Sequence, residues 1–256
     1  MIDRNDLLKN SDFPNVYQAE KDYLQHLVLS RVYSNSSEDL IFKGGTALQK
    51  VYGLNRFSED LDFTLKKSNF EEQITKIERG LSTIKRFYDF SYKSKNDHRS
   101  VGFNLKINGP LFKTPASVQT IIMEISLREE VLDKANSMLI TPAYPDLSPY
   151  FVKVMSLDEI LAEKVRALIT RGRLRPRDLY DIYFILHKGG RFDIKKINKK
   201  LAYYDLEFSN SYFLKRVGEM KGTLWNKELS LLMKDVSDYN TIANYVTEKI
   251  ISNGLK

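Results

Sequence analysis

Two short runs of this chain combine residue types that could do chemistry together. Lys43-Gly44-Gly45-Thr46-Ala47-Leu48 is followed shortly by Arg56-Phe57-Ser58-Glu59-Asp60-Leu61-Asp62-Phe63. On an extended segment Asp60 and Asp62 project to the same side, because strand side chains alternate with a period of two. Such a pair of hard oxygen donors can hold magnesium. Gly44 and Gly45 lack a Cβ, so the backbone can come close to a ligand there, and N–H groups entering a following helix make a natural phosphate site. The combination reads as nucleotide plus metal. It is not a Walker P-loop, which places Gly-Lys-Ser/Thr after a longer glycine loop; Lys43 here precedes the glycines and could simply end its strand.

Two further groups bear on that chemistry. In Thr120-Ile121-Ile122-Met123-Glu124-Ile125-Ser126, Glu124 is the only charge in a strand-like apolar run. It is either a third carboxylate for the metal or an outward-facing residue paired with Arg128. The run Glu159-Ile160-Leu161-Ala162-Glu163-Lys164-Val165-Arg166-Ala167-Leu168 puts Lys164 on an otherwise apolar helical stripe, where it needs a partner. That partner is a triphosphate, or else Asp178 or Asp181, which share one face of the next helix. Arg171, Arg173, Arg175 and Arg177 between the two helices would suit phosphate, since guanidinium forks bind it bidentately, but a charge-rich loop is often only solvated. The same alternatives hold for Lys195, Lys196, Lys199 and Lys200: contact with RNA or a soluble helix face.

The elements that must position these residues follow from periodicity. Residues 15–33, after the breaker Pro14, read as a packing helix; 40–42 as a short strand; 46–52 as a helix capped by Gly53; and 61–65 as a strand. An amphipathic helix over 70–85 precedes strands over 87–93, 100–107 and 118–127. From residue 157 the pattern turns helical, over 157–170 and 177–186 and onward to 252, broken at Gly189-Gly190 and Gly222. Pro142, Pro145 and Pro149 interrupt regular structure and offer a junction. The expected fold class is therefore α+β: a mixed sheet with helices over 1–150 and an α-helical lobe over 151–256. Trp225 is expected in the core of that lobe, and Tyr52 and Tyr180 flank proposed site residues as packing or as stacking surfaces.

Composition narrows the function classes. The 256 residues are 42% hydrophobic, enough for a proper core. No apolar run is long enough to span a bilayer and the first residues lack the apolar core of a secretory signal, so a cytoplasmic protein is expected. The absence of cysteine excludes disulfides, thiolate zinc sites and cysteine nucleophiles. His26, His98 and His187 are not spaced as metal ligands usually are. A net charge of +7 favours acidic partners, nucleic acid first among them.

The order Gly-Gly-Thr-Ala-Leu, Arg-x-Ser-x-Asp-Leu-Asp-Phe, an isolated strand carboxylate, Glu-Lys-x-x-Ala-Leu-x-x-Arg and Arg-Asp-Leu-Tyr-Asp-Ile resembles the AbiEii-type nucleotidyltransferase toxins of the DNA polymerase β-like superfamily. The motifs run from about Lys43 to Leu186. The resemblance implies a mixed-sheet catalytic domain with a helical lobe completing the active site. It implies magnesium-dependent transfer of a nucleotide from a nucleoside triphosphate to RNA, with tRNA the foremost acceptor, in a toxin–antitoxin or abortive-infection system with a cognate antitoxin. By motif position Asp60 and Asp62 are the metal aspartates, Arg56 and Ser58 the residues before them, Lys164 the helical lysine and Asp178 the aspartate of the Arg-Asp pair. Glu124 falls where the superfamily's third acid lies. Gly44, Gly45 and Thr46 would hold the β- and γ-phosphates, with Lys164 and Arg56 supplying positive charge. Two readings stand beside this one. A metal-dependent nuclease would use clustered acids with little need for Gly44-Gly45-Thr46 or Lys164, and an inactive RNA- or partner-binding module would have no reason to keep the acidic set.

Overall fold

The computed structural model of the chain describes residues 2–9, 13, 15–36, 38–65, 70–220 and 222–254. Pro14, read as a breaker, lies outside them. The chain divides into two compact units, Met1–Val131 with Ala135–Met155 and Leu132–Lys134 with Ser156–Lys256.

The first unit is built on a seven-stranded mixed sheet. Its strands are β1 (Leu40–Lys43), β2 (Leu61–Leu65), β3 (Phe90–Asn96), β4 (Ser100–Ile107), β5 (Gln119–Ser126), β6 (Asn136–Ile140) and β7 (Tyr150–Val154), in the spatial order β3-β4-β5-β2-β1-β7-β6. The β2–β5 and β1–β7 pairs are parallel and the others antiparallel. Strand β5 shows why one face is the core: Ile121, Met123 and Ile125 are buried while Ile122 and Glu124 alternate with them into the open. Phe42, Phe63, Phe103, Leu105 and Val152 join them in one apolar cluster. Helix α2 (Val16–Tyr33) lies against β5 and β7 with α4 (Phe70–Ser82) beside it, and buries Leu24, Leu27 and Val28. The Asn15 side chain accepts the Gln18 N–H and so caps α2. Helix α1 (Arg4–Lys9) is a single short piece against α2. Helix α3 (Gly44–Tyr52) follows β1 with no linker and ends at Gly53 in the left-handed conformation, φ 80°.

The proline-bearing run 141–149 lies inside this unit, between β6 and β7, and is not the junction. Strand β7 pairs with β1, so the division falls after Met155.

The second unit is helical: α5 (Leu157–Thr170), α6 (Pro176–His187), α7 (Ile194–Leu201), α8 (Asn210–Gly218), α9 (Thr223–Leu229) and α10 (Tyr239–Gly254). Ser156 caps α5 by accepting the Glu159 N–H. Pro176 opens α6, where its missing N–H costs nothing. Trp225 is buried, as its place in the sequence suggested, and donates to the Ser237 carbonyl. Among the described residues no helix is long and apolar enough to cross a membrane.

Candidate active site

Strand register brings two of the expected acids together. Asp62 on β2 is aligned with Lys43 on β1 to one side and with Glu124 on β5 to the other. Aligned residues of paired strands share a face, about 5 Å apart. Glu124 is exposed, yet neighbouring strands strip enough water from its carboxyl to raise its proton affinity above the usual carboxylate range. The Asp62 charge adds to that, and Lys43 opposes it. Lys43 does more than end its strand: it is buried, with Nζ 2.6 Å from a Glu129 oxygen.

The glycines are explained from within the chain. Gly44 has φ 76°, and a Cβ on it would run into the Asp62 carboxylate. A Cβ on Gly45 would come within 2.7 Å of both Arg56 Nη2 and Ser58 Oγ. The first turn of α3 is thus packed tightly against the segment that carries the acids. Thr46 is fully buried and its hydroxyl donates to the Asp60 carbonyl, so it positions Asp60. Arg56 is also buried, at 1% exposure, and donates to the Phe57 carbonyl at 2.9 Å. Its guanidinium lies beside Gly45 at the first turn of α3. Ser58 is nearly buried beside Gly45.

Asp60 stands one residue before β2 and is partly exposed. Among the described residues no three acidic or histidine side chains gather as a metal cage, so the expected trio of Asp60, Asp62 and Glu124 is not closed; Asp62 and Glu124 are the aligned pair. That donor set still fits magnesium. All its donors are hard oxygens, and this ion is commonly held by one or two carboxylates with the remaining positions filled by water and substrate phosphate. The elevated proton affinity of Glu124, set first by loss of water and then by the Asp62 charge, is of the kind a bound cation would relieve.

A polar network that the sequence did not single out holds the loop in place. Gln25 is fully buried on α2, and its Nε2 donates to the carbonyls of Ser58 and Glu59 at 2.9 Å each. Gln49 accepts the Ser58 N–H at 2.9 Å and donates to Asp22 at 2.8 Å. Asp22 also meets Lys50 Nζ at 2.7 Å and the Tyr144 hydroxyl at 2.8 Å. Burial would raise the Asp22 pKa, but the Lys50 charge and hydrogen bonds from Lys50 and Tyr144 help to hold it below the usual range. Burial drives His26 down to about 3, with Lys50 adding to the shift and Asp22 opposing it. The available signal was a set of polar residues, Asp22, Gln25 and His26, on a helix whose neighbours are apolar.

In the helical unit, α5 and α6 bring Lys164, Asp178 and Asp181 together. Lys164 Nζ is 2.7 Å from Asp181 and 3.5 Å from Asp178, and Arg171 Nη1 is 2.5 Å from the other Asp178 oxygen. Both carboxylates are buried. The connecting arginines are engaged too: Arg173 and Arg175 share Glu228 at 3.0 and 3.9 Å. The lysine-rich helix α7 is only half a solvated face. Lys200 is buried between Glu159 at 2.7 Å and Glu163 at 3.2 Å, and Lys196 meets Asp133 at 2.7 Å, which leaves Lys195 and Lys199 exposed. Tyr52 donates to the Met155 carbonyl and Tyr180 is buried beside Trp225, so both are packing residues.

Comparison with known proteins agrees with this arrangement. No curated protein sequence matches the chain. Among solved structures, the fold is similar to MenT4, a nucleotidyltransferase toxin from Mycobacterium tuberculosis H37Rv, with 17% identity, a TM-score of 0.65, and coverage of 96% of this chain and 86% of that one. It is also similar to JHP933 from Helicobacter pylori, with 20% identity, a TM-score of 0.56, and coverage of 92% and 91%. At such identities the likeness concerns the fold. The sequence itself matches the family described as nucleotidyl transferase AbiEii toxin, type IV toxin–antitoxin system, over residues 27–244. With the glycine turn, the paired strand acids and the helical Arg-Asp motif all inside that span, the chain belongs to the AbiEii family of nucleotidyltransferase toxins of type IV toxin–antitoxin systems.

Proposed function

We propose that this toxin transfers a nucleotide from a nucleoside triphosphate to RNA, tRNA foremost, with magnesium, in the cytoplasm. The observation that supports this best is the aligned Asp62–Glu124 pair beside the first turn of α3, with the Glu124 proton affinity raised by burial and by Asp62. Asp62 and Glu124, with Asp60 just before the strand, would supply the oxygen donors. Magnesium bound there would neutralise triphosphate charge and draw the α-phosphate and the acceptor hydroxyl into line.

The chain's own groups do the rest. Backbone N–H groups at the start of α3 face the β- and γ-phosphates, a role that needs no side chain from Gly44 or Gly45. Thr46 and Gln25 keep Asp60 and its loop from drifting. The acceptor oxygen forms a bond to the α-phosphorus, the bond from that phosphorus to the β-phosphate oxygen breaks, and pyrophosphate leaves. The hydroxyl proton would pass to the Glu124 carboxylate, whose proton affinity is raised. Lys164 and Asp178 are accounted for by their own ion-pair cluster.

The test is transfer of label from each α-labelled nucleoside triphosphate to total cellular RNA, comparing wild type with Asp60→Asn and Asp62→Asn. Aspartate-dependent label in a tRNA-sized band is the expected result. Label in protein, or none despite triphosphate binding, would overturn the RNA acceptor, and failure to bind triphosphate would overturn the reaction class.

A further inference from the structure

The open face of the sheet continues past Glu124 onto β4 and β3, and its residues differ in kind from those around the acids. The row containing Asp62 and Glu124 runs on through Gly102 of β4 to Lys95 of β3. The next row holds Ile122, Asn104 and Lys93, and the one after it Thr120, Lys106 and Ser91. Lys93, Lys95, Asn104 and Lys106 are exposed, as is Ile122 at 48%. Among the described residues none of these three lysines forms an ion pair, whereas Lys43, Lys50, Lys164, Lys196 and Lys200 all do. Asp97, at the β3–β4 turn, accepts the N–H groups of Arg99 and Ser100 on one carboxylate oxygen and feels the Lys95 charge without closing an ion pair with it.

Gly102 is the second observation. Glycine inside a strand weakens it, and its φ lies outside the left-handed region, so the backbone does not require it. Nor does packing: a Cβ there would meet only the Lys95 carbonyl oxygen, at an ordinary 4.0 Å. Gly44 and Gly45 are explained by Asp62, Arg56 and Ser58, but no neighbour explains Gly102. An interior strand glycine often marks a bulge, a bend or the close approach of a ligand or another backbone, and the unbroken pairing of β4 with β3 and β5 leaves no bulge here. The missing side chain lies one strand, about 5 Å, from Glu124.

We propose that the open face of β3, β4 and β5 is the track of the acceptor RNA, a reading that rests on the RNA transfer proposed above. Gly102 leaves the gap through which the acceptor ribose reaches Glu124. Lys95, Lys93 and Lys106 neutralise successive phosphates leading away from the reacting end, and Asn104 and Ile122 offer a polar and an apolar contact to the bases between them. Among the described residues these lysines stand in a file without an ion pair, Asp97 at the turn being the carboxylate beside Lys95, and such a file complements a polyanion and not a protein surface of mixed charge.

The experiment has a binding arm and a transfer arm. Binding of a short labelled single-stranded oligoribonucleotide is followed by anisotropy against salt for wild type, for Lys93→Ala/Lys95→Ala/Lys106→Ala, and for Lys195→Ala/Lys199→Ala/Lys227→Ala as an exposed control of equal charge loss. Each lost phosphate contact lowers the log–log salt slope by about 0.7, so the first triple should lose about 2 and the control close to none. Gly102→Val, which suits a strand, should keep or raise the thermal midpoint and keep triphosphate binding while transfer to RNA falls at least about tenfold. Equal slopes for the two triples, or full transfer by a folded Gly102→Val, overturns the track. A wild type that labels no RNA overturns the reading beneath it, a failure distinct from a wild type that labels RNA through some other surface.

Discussion

At the residue scale, the aligned carboxylates make the sharpest demands. Asp62→Asn keeps the shape but loses the charge, so transfer should fall at least about a hundredfold while circular dichroism stays that of the wild type. Glu124 carries the pH signature. Its proton affinity in the folded protein is raised, so protonation stabilises the fold. Stability credited to Glu124 is therefore present at low pH and lost as pH rises through its raised pKa, while magnesium binding is lost in the opposite direction. Calorimetric magnesium titrations should weaken as pH falls through a midpoint above the usual carboxylate range, and Glu124→Gln should remove that dependence. Lys164 has a structural account that can be tested alone. Lys164→Ala removes the cation 2.7 Å from the buried Asp181 and 3.5 Å from the buried Asp178, and denaturant unfolding should show a loss of about 3 kcal/mol. Unchanged stability would refute that account.

At the scale of elements, the loop 56–60 is held by α2 and α3, and its side-chain props are the testable parts. Thr46→Val is nearly isosteric and removes the hydroxyl that fixes the Asp60 carbonyl. We expect about 1 kcal/mol of destabilisation, a higher magnesium requirement for transfer, and rescue by Thr46→Ser. An unchanged magnesium requirement would make the contact merely structural. Helix α2 predicts the acid response of its unit. His26, with a pKa of about 3, stays neutral in the fold but takes a proton in the unfolded chain. Stability should therefore decline as pH falls from about 6.5, by up to about 1.4 kcal/mol per pH unit. His26→Gln should flatten that slope in pH-dependent denaturation.

At the scale of the whole molecule, the two units have separate cores, and the single tryptophan reports on one of them. Trp225 is buried among the helices of the second unit. Lys200→Ala would leave Glu159 and Glu163 facing each other without their shared cation, and the tryptophan fluorescence transition should shift to markedly lower denaturant. An unshifted transition would show that the buried lysine contributes little.

The sequence alone determined the chemistry-bearing motifs, the α+β character and most elements, because those rest on local regularities. A glycine turn before a helix, a two-residue acid spacing, strand alternation in 119–126 and helical periodicity in 157–170 all act over a few residues. The cap at Gly53 and the burial of Trp225 were legible for the same reason. Strand β6 was not, since four of its five residues are exposed and its apolar pattern carries no alternation. Only the tertiary structure decided which acid stands beside which, because register between β2 and β5 joins residues some sixty positions apart. It alone showed Thr46 and Arg56 buried against the loop that carries Asp60, gave Lys164 and Lys200 their carboxylates, and left Lys93, Lys95 and Lys106 without an ion pair among the described residues. Such assignments depend on burial and on partners brought together by the fold, and neither quantity is written in local sequence.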